Sequence, residues 1–299
     1  MNAPAKSPRR VGRLTVIGLV LAVFAGGLIV ALLRFPNLFG DPERRAINAT
    51  RAANFARANL NLPLDGTPDL ATLDARLTAH NLTLGAPVLI RIFKREFELE
   101  MWMARDGGYH RFATYPICSW SGQLGPKFTT GDKQAPEGFY SVSAGQMNPN
   151  SRWHRSFNVG FPNAFDQAHG RTGSALMVHG GCSSAGCYAM TNGVIDEIWR
   201  LTSAALNGDK QKSFQVQVFP FRMSEDNLAS HAQSPHIAFW RQLKTGSDLF
   251  EETLLPPSIN ACEGQYRFKA GRTVDIQSRP SADCAQSATN TVSRVKKAL

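Results

Sequence analysis

Acidic residues are scarce in this 299-residue chain: 23 Asp and Glu stand against 33 Lys and Arg, for a formal net charge of +10. A basic balance favours polyanionic partners such as nucleic acid, anionic lipid or an acidic wall polymer. No compact Lys/Arg stripe lies outside the two termini, so the charge reads as a basic but unspecialised surface, and nucleic acid is not an expected partner. Cysteine is sparse and odd in number: Cys118, Cys182, Cys187, Cys262 and Cys284. That excludes complete internal pairing and leaves at least one thiol to explain. There is no C-x-x-C pair, no H-E-x-x-H and no H-x-E ahead of a Cys pair, which removes the common zinc signatures. No βα unit repeats, which argues against a doubly wound sheet. What remains is 43% hydrophobic and 19% charged, the composition of a globular protein with a core to bury.

One long apolar run is present. Thr15 to Leu33 carries no charge, follows Lys6, Arg9, Arg10 and Arg13, and is closed by Arg34. A signal-peptide core is shorter, about 7–15 residues, and ends in a small-residue cleavage site. A membrane span needs about 20. The sequence after the run, RFPNLFGDPERR, offers no A-x-A-like site. The expectation for residues 1–40 is a basic flank and a single uncleaved transmembrane helix in the inner (cytoplasmic) membrane. The flank then stays inside and the remainder of the chain faces the periplasm. The alternative is signal cleavage and a periplasmic protein.

Beyond the run, Asp41 to Leu60 is rich in Ala and Arg, lacks Gly, and reads as a helix. Leu70 to Leu82 reads as a second, so residues 41–85 form a short helical stalk. From residue 86 to 223 the texture is that of strands: VLIRIFK, FELEMWMA, YHRFATYPI, FYSVS, FNVGF, ALMVH and FQVQVFPF. One clear helix, Thr191 to Leu206, stands among them. The expected fold is mainly β, mostly antiparallel, with a few helices. Residues 224–270 read as a helical extension packing on that domain, and 271–299 as a disordered tail.

The chemistry concentrates in Ala175 to Met190, ALMVHGGCSSAGCYAM. An apolar run ends at His179. A Gly-rich loop follows, and Cys187 closes it. Gly180, Gly181 and Gly186 let the backbone turn tightly, so a strand-end imidazole and a loop thiol can meet. A free thiol titrates near 8.5, and only the thiolate is a strong nucleophile. A neighbouring imidazole takes its proton and later returns it to a leaving amine. The amides of Gly186 and Cys187 can point at a developing oxyanion, and the dipole of the following helix is expected to favour the thiolate. A competing reading makes His179, Cys182 and Cys187 zinc ligands. Cys182 is open between a structural, a resolving and a merely buried role. Cys262 and Cys284, away from this segment, are expected to pair in an oxidising compartment, with Cys118 as an alternative partner.

His179-Gly180 followed by Ser184-Ala185-Gly186-Cys187 resembles the signature of the YkuD-type L,D-transpeptidases. Ala185 stands where the common motif has a His, and the spacing from His179 to Cys187 is shorter. Both features fit the YafK-like branch, whose loop resembles HGGC-x-S-x-GC-x-AMT. GDKQAPEGFYSV (Gly131–Val142), SFNVGFPNAFDQAHGRTG (Ser156–Gly173) and FWRQLKTGSDLFE (Phe239–Glu251) are similar to that branch as well. The resemblance implies a YkuD-type β fold over about Val88 to Glu251. It makes Cys187 an acyl-enzyme nucleophile and His179 its base, with the Gly180 carbonyl orienting the imidazole. Gly186 and Cys187 would form the oxyanion hole, and Ser184 matches the motif serine. It further implies peptidoglycan stem peptides as substrates, attacked at the L–D bond beside meso-diaminopimelate, with no metal or organic cofactor. Within the branch the alternative is an amidase that releases a protein, such as an outer-membrane lipoprotein, from that residue. A non-catalytic wall-binding module is the rival from another class.

Overall fold

Val88–Phe93 is apolar but for Arg91 and buried at every position, the pattern of a strand at the centre of a sheet covered on both faces. In the computed structural model this strand, β1, pairs antiparallel with β2 (Glu98–Arg105) and parallel with β10 (Ser213–Phe219). β3 (Gly108–Pro116) and β5 (Gly138–Ser143) close the two edges, giving the order β3-β2-β1-β10-β5. A second five-stranded sheet has the order β4-β9-β8-β7-β6, from β4 (Ser119–Trp120), β6 (Met147–Ser151), β7 (His154–Asn158), β8 (Met177–His179) and β9 (Tyr188–Ala189). One parallel pair occurs in each sheet, β1/β10 and β8/β9, and the other pairings are antiparallel. The described residues are 21–22, 26–27, 41–273, 282 and 284. They form a sheet-rich mixed fold with a few helices.

The chain divides into two compact units, residues 1–50 and 51–299. The described part of the first ends in the opening turns of α1 (Pro42–Asn59). In the second unit, the later turns of that helix are docked rather than free. Asn54 Nδ2 donates to the Ile117 carbonyl at 3.1 Å, and Arg51 lies 4.3 Å from the centre of the Trp120 ring. The expected second helix is a 3₁₀ turn, Leu70–Thr72, running into α2 (Leu73–Ala79). Almost all of the apolar run Thr15–Leu33, and the tail beyond Thr273 apart from Ala282 and Cys284, lie outside the described residues. Among those that are described, no helix is long and apolar enough to cross a membrane.

Two long helices bury the main sheet. α4 (Asn192–Asn207), which follows the short α3 (Ala164–Ala168), presents Val194, Ile195, Ile198 and Leu201 inward and touches β1, β7 and β10. α6 (Ile237–Thr253), preceded by α5 (Glu225–Ser230), contributes Trp240 and Leu243 to a core with Phe93, Phe139 and Phe219. Gly246 in the middle of α6 is a packing requirement: a Cβ there would stand 2.5 Å from both Phe139 and Phe268. Phe268 belongs to a hairpin that the sequence reading took as part of a helical extension, β11 (Ser258–Cys262) and β12 (Gln265–Lys269). Its turn residues Glu263 and Gly264 both have positive φ, 51° and 69°, as a two-residue type I′ turn requires. Two other expectations shift. FNVGF ends as strand at Asn158, and ALMVH begins as strand only at Met177, because Ala175 sits at φ 56°.

Two ion pairs, one of them fully buried, hold the long loop before β5. Lys94 Nζ bonds Glu137 Oε1 at 2.9 Å and three backbone carbonyls, those of Gln123, Gly125 and Ala135. Glu137 also accepts from the Gly125 amide and the Trp240 indole. Every oxygen and proton of the pair is thus occupied, the condition under which a buried charge pair is tolerated. Burial pulls the Lys94 pKa down and Glu137 opposes it. Nearer the site, Lys127 is 4% exposed and bonds Asp132 at 2.5 Å.

Candidate active site

The parallel pair β8/β9 sets the site. Val178 lies opposite Tyr188 and His179 opposite Ala189. Val178 and Tyr188 are fully buried. Side chains alternate along a strand, so Met177 and His179 project to the other face, where the loop before β9 places Cys187. There they line one cleft of about 380 Å³, with Trp153, Arg152 and Ser184 among its other walls. A second cleft, of about 420 Å³, is lined in part by Cys182 and Asn192, but its cysteine sulfur is already bonded.

Cys187 is the free cysteine. Its Sγ accepts from the Met177 amide at 3.4 Å and donates toward the Ala175 carbonyl at 3.8 Å. Burial pushes the thiol pKa up, while the Met177 amide and the Lys127 charge pull it partly back. His179 is buried, and its Nδ1 donates to the Gly180 carbonyl at 2.6 Å. That bond selects the tautomer: with the proton on Nδ1, a neutral ring leaves Nε2 as an acceptor. Burial lowers the imidazole pKa and the Gly180 bond raises it. Both shifts run toward the neutral forms, thiol and imidazole.

The loop between them corrects three expectations. The Cys187 amide, read as an oxyanion donor, donates to Ser184 Oγ at 3.0 Å, and the same hydroxyl donates to the Cys187 carbonyl at 2.7 Å. A serine three residues back can close on the backbone in this way, and the amide is thereby engaged. Ser184 Oγ is in turn 3.2 Å from Ser121 Oγ. The zinc reading fails on Cys182: its sulfur is bonded to Cys118. Cys182 has φ 44° and is buried beside Leu64, so its role is structural. The following helix does not begin at Cys187 either. β9 stands between Cys187 and α4, whose N-cap is Thr191, and the dipole acts only within a helix's first turn. The one expected disulfide, Cys262 to Cys284, is present, and Cys118 pairs instead with Cys182. Sequence reasoning missed Trp153, Lys127 and Ser121, which come to the site from distant segments.

A buried imidazole of fixed tautomer at the end of β8 and a free thiol in the glycine-rich loop before β9, lining one cleft, define a cysteine–histidine site. The model of the L,D-transpeptidase catalytic domain (YkuD) matches residues 88–218. The chain is 48% identical over 183 residues to YafK of Escherichia coli K12, which carries an L,D-transpeptidase name; the match spans 61% of this chain and 74% of that one. The chain therefore belongs to the YkuD family of L,D-transpeptidases and carries its catalytic domain. Among solved structures, the helical cell shape determining protein Pgp2 of Campylobacter jejuni is similar at 20% identity and a TM-score of 0.37, over 60% of this chain and 67% of that one. Bd1075 of Bdellovibrio bacteriovorus is similar at 21% identity and a TM-score of 0.32, over 55% and 60%.

Proposed function

We propose that the protein is a peptidoglycan-modifying acyltransferase acting on stem peptides at the L–D bond beside meso-diaminopimelate, through an acyl-enzyme on Cys187. Cys187 Sγ attacks the carbonyl carbon while its proton passes to His179 Nε2. The tetrahedral oxyanion collapses, the C–N bond breaks, and the leaving amine takes the proton back. An acceptor amine then repeats the sequence in reverse and restores the thiol. The Gly180 carbonyl keeps the imidazole in the tautomer this needs, and Ser184 shapes the loop. With the Cys187 amide engaged by Ser184, Gly186 is the loop's donor to the oxyanion. The observation that carries the reading is the free Cys187 thiol lining one cleft with His179, whose Nδ1 is already committed.

If water replaces the amine as acceptor, the same acyl-enzyme gives an amidase that releases a protein attached to meso-diaminopimelate. The disulfides Cys118–Cys182 and Cys262–Cys284 suit an oxidising compartment, and with the run Thr15–Leu33 they support a catalytic domain held in the periplasm by an inner-membrane anchor. Incubation of the purified protein with sacculi, free and lipoprotein-linked, tests the proposal by mass spectrometry of the products. New cross-links or exchanged terminal residues indicate transfer, and released protein indicates hydrolysis. Unchanged sacculi with both substrates would leave only a wall-binding module.

A further inference from the structure

The β6–β7 hairpin turns at residues 151–154, and its tip stands against the imidazole. Trp153 is a large indole left 41% exposed, so burial alone does not account for its placement. Its ring meets that of His179 with centroids 6.0 Å apart and planes 33° apart. The tip is latched to α4: His154 Nε2 and Arg155 Nε approach Asp196 Oδ1 at 2.9 and 3.0 Å. Room for the indole exists because residue 181 is glycine. A Cβ there would stand 3.0 Å from Trp153 Cε3, and its φ of 86° disfavours side chains as well. At Gly180, a Cβ would stand 3.1 Å from the His154 Cβ. The loop after His179 lacks two side chains where the hairpin tip closes on it.

We infer that Trp153 is a positioning residue for His179, whose indole face holds the imidazole ring and stabilises the imidazolium that forms when Cys187 gives up its proton. This rests on the acyl-enzyme reading above. The Gly180 carbonyl grips one ring atom at 2.6 Å, which fixes the tautomer and leaves the ring plane to be set by a second contact. Trp153 supplies it. Charging a buried imidazole is opposed by desolvation, and an aromatic face within about 6 Å of a cation offsets part of that cost. The other charged or titratable groups nearby are the Cys187 thiol in the same cleft and Arg152, whose guanidinium lies 5.4 Å from the Trp153 ring centre. Behind the tip is the cluster of His154, Arg155 and Asp196, and Lys127 acts on Cys187.

The test uses the whole protein with a stem-peptide substrate and compares Trp153→Ala and Trp153→Phe with wild type and Cys187→Ala. Trp153→Ala is expected to lower kcat about tenfold with KM within about twofold, and Trp153→Phe to recover most of the loss. Independently of substrate, protonating His179 should quench the Trp153 emission as pH falls. That component should vanish in both Trp153→Phe and His179→Gln. A Trp153→Ala variant with normal kcat and a raised KM would make Trp153 a substrate contact and overturn the inference. So would a Trp153 emission titration that persists in His179→Gln. An active Cys187→Ala overturns the acyl-enzyme reading and this role with it; an inactive Cys187→Ala beside a normal Trp153→Ala overturns this role alone.

Discussion

Removing the Cys118–Cys182 bridge by the double substitution Cys118→Ala/Cys182→Ala should cost more than any surface change. The two cysteines are 64 residues apart in sequence. In the chain-entropy treatment, releasing a loop of that size returns about 14 cal/mol/K to the unfolded ensemble, or about 4 kcal/mol at 25 °C. Both sulfurs are buried beside Leu64, so their loss also leaves a small cavity, which adds to the cost. For a chain of this length, 1 kcal/mol moves Tm by about 2–4 °C, so a fall of roughly 8–16 °C is expected. Urea melts monitored by far-ultraviolet circular dichroism provide the direct assay. The variant should show a lower midpoint and a steeper slope, because its unfolded state exposes more surface. Cys182 also carries the end of the turn that starts at His179, and its amide donates to the Met190 carbonyl at 3.3 Å. Activity should therefore fall even where the variant is fully folded. A loss of stability below about 1 kcal/mol, with activity unchanged, would show that the bridge does not constrain the site loop.

Ser184→Ala deletes the hydroxyl that both accepts from the Cys187 amide and donates to its carbonyl. At about 1 kcal/mol per neutral hydrogen bond, the two bonds make about 2 kcal/mol, so Tm should fall by about 4–8 °C and kcat/KM by up to roughly 30-fold as the site loop loosens; an effect on kcat/KM below about twofold would remove Ser184 from the account. Alkylation of Cys187 by iodoacetamide should stay slow at neutral pH and accelerate only above the ordinary thiol range of about 8.5, since burial raises its pKa. A rate already maximal near pH 6 would reveal a preformed ion pair instead. His179 has its pKa lowered in the fold, so the unfolded chain binds its proton more readily. The neutral ring contributes stability above the unfolded value of 6.5, and that contribution is lost as pH falls through the folded value. His179→Gln should accordingly flatten the decline in stability below pH 6.5, and an unchanged decline would contradict the cited direction.

What the sequence made legible was local. His179, the glycines and Cys187 fall within one short segment, and β8 and β9 are the strands that flank its loop, so the pair could be read without knowing the fold. β1 and α4 were legible for the same reason, through a continuous apolar run and a helical period. The hairpin β11–β12 was not, although Ile259 and Ala261 alternate with polar neighbours. Its turn is Glu-Gly rather than Asn-Gly, and α6 beside it dominated the pattern. Trp153 carries no signal of its own, because its contact with His179 depends on the register that sets Ser156 opposite His179. The partner of Cys182 was equally hidden. β4 joins the sheet beside β9, and the Cys118 amide bonds the Ala189 carbonyl, a tertiary contact that spacing does not encode. The engaged Cys187 amide shows the limit of motif reading: the residues were identified, but not which of their donors are taken.

The central claim is that acyl transfer runs through the sulfur of Cys187 with His179 as base. Intact-protein and peptide mass spectrometry after rapid mixing with a stem-peptide donor tests it most directly. The account predicts a single acyl adduct on Cys187, absent in Cys187→Ala and much slower to form in His179→Gln. An adduct on another residue, or turnover by Cys187→Ala within tenfold of wild type, would contradict it.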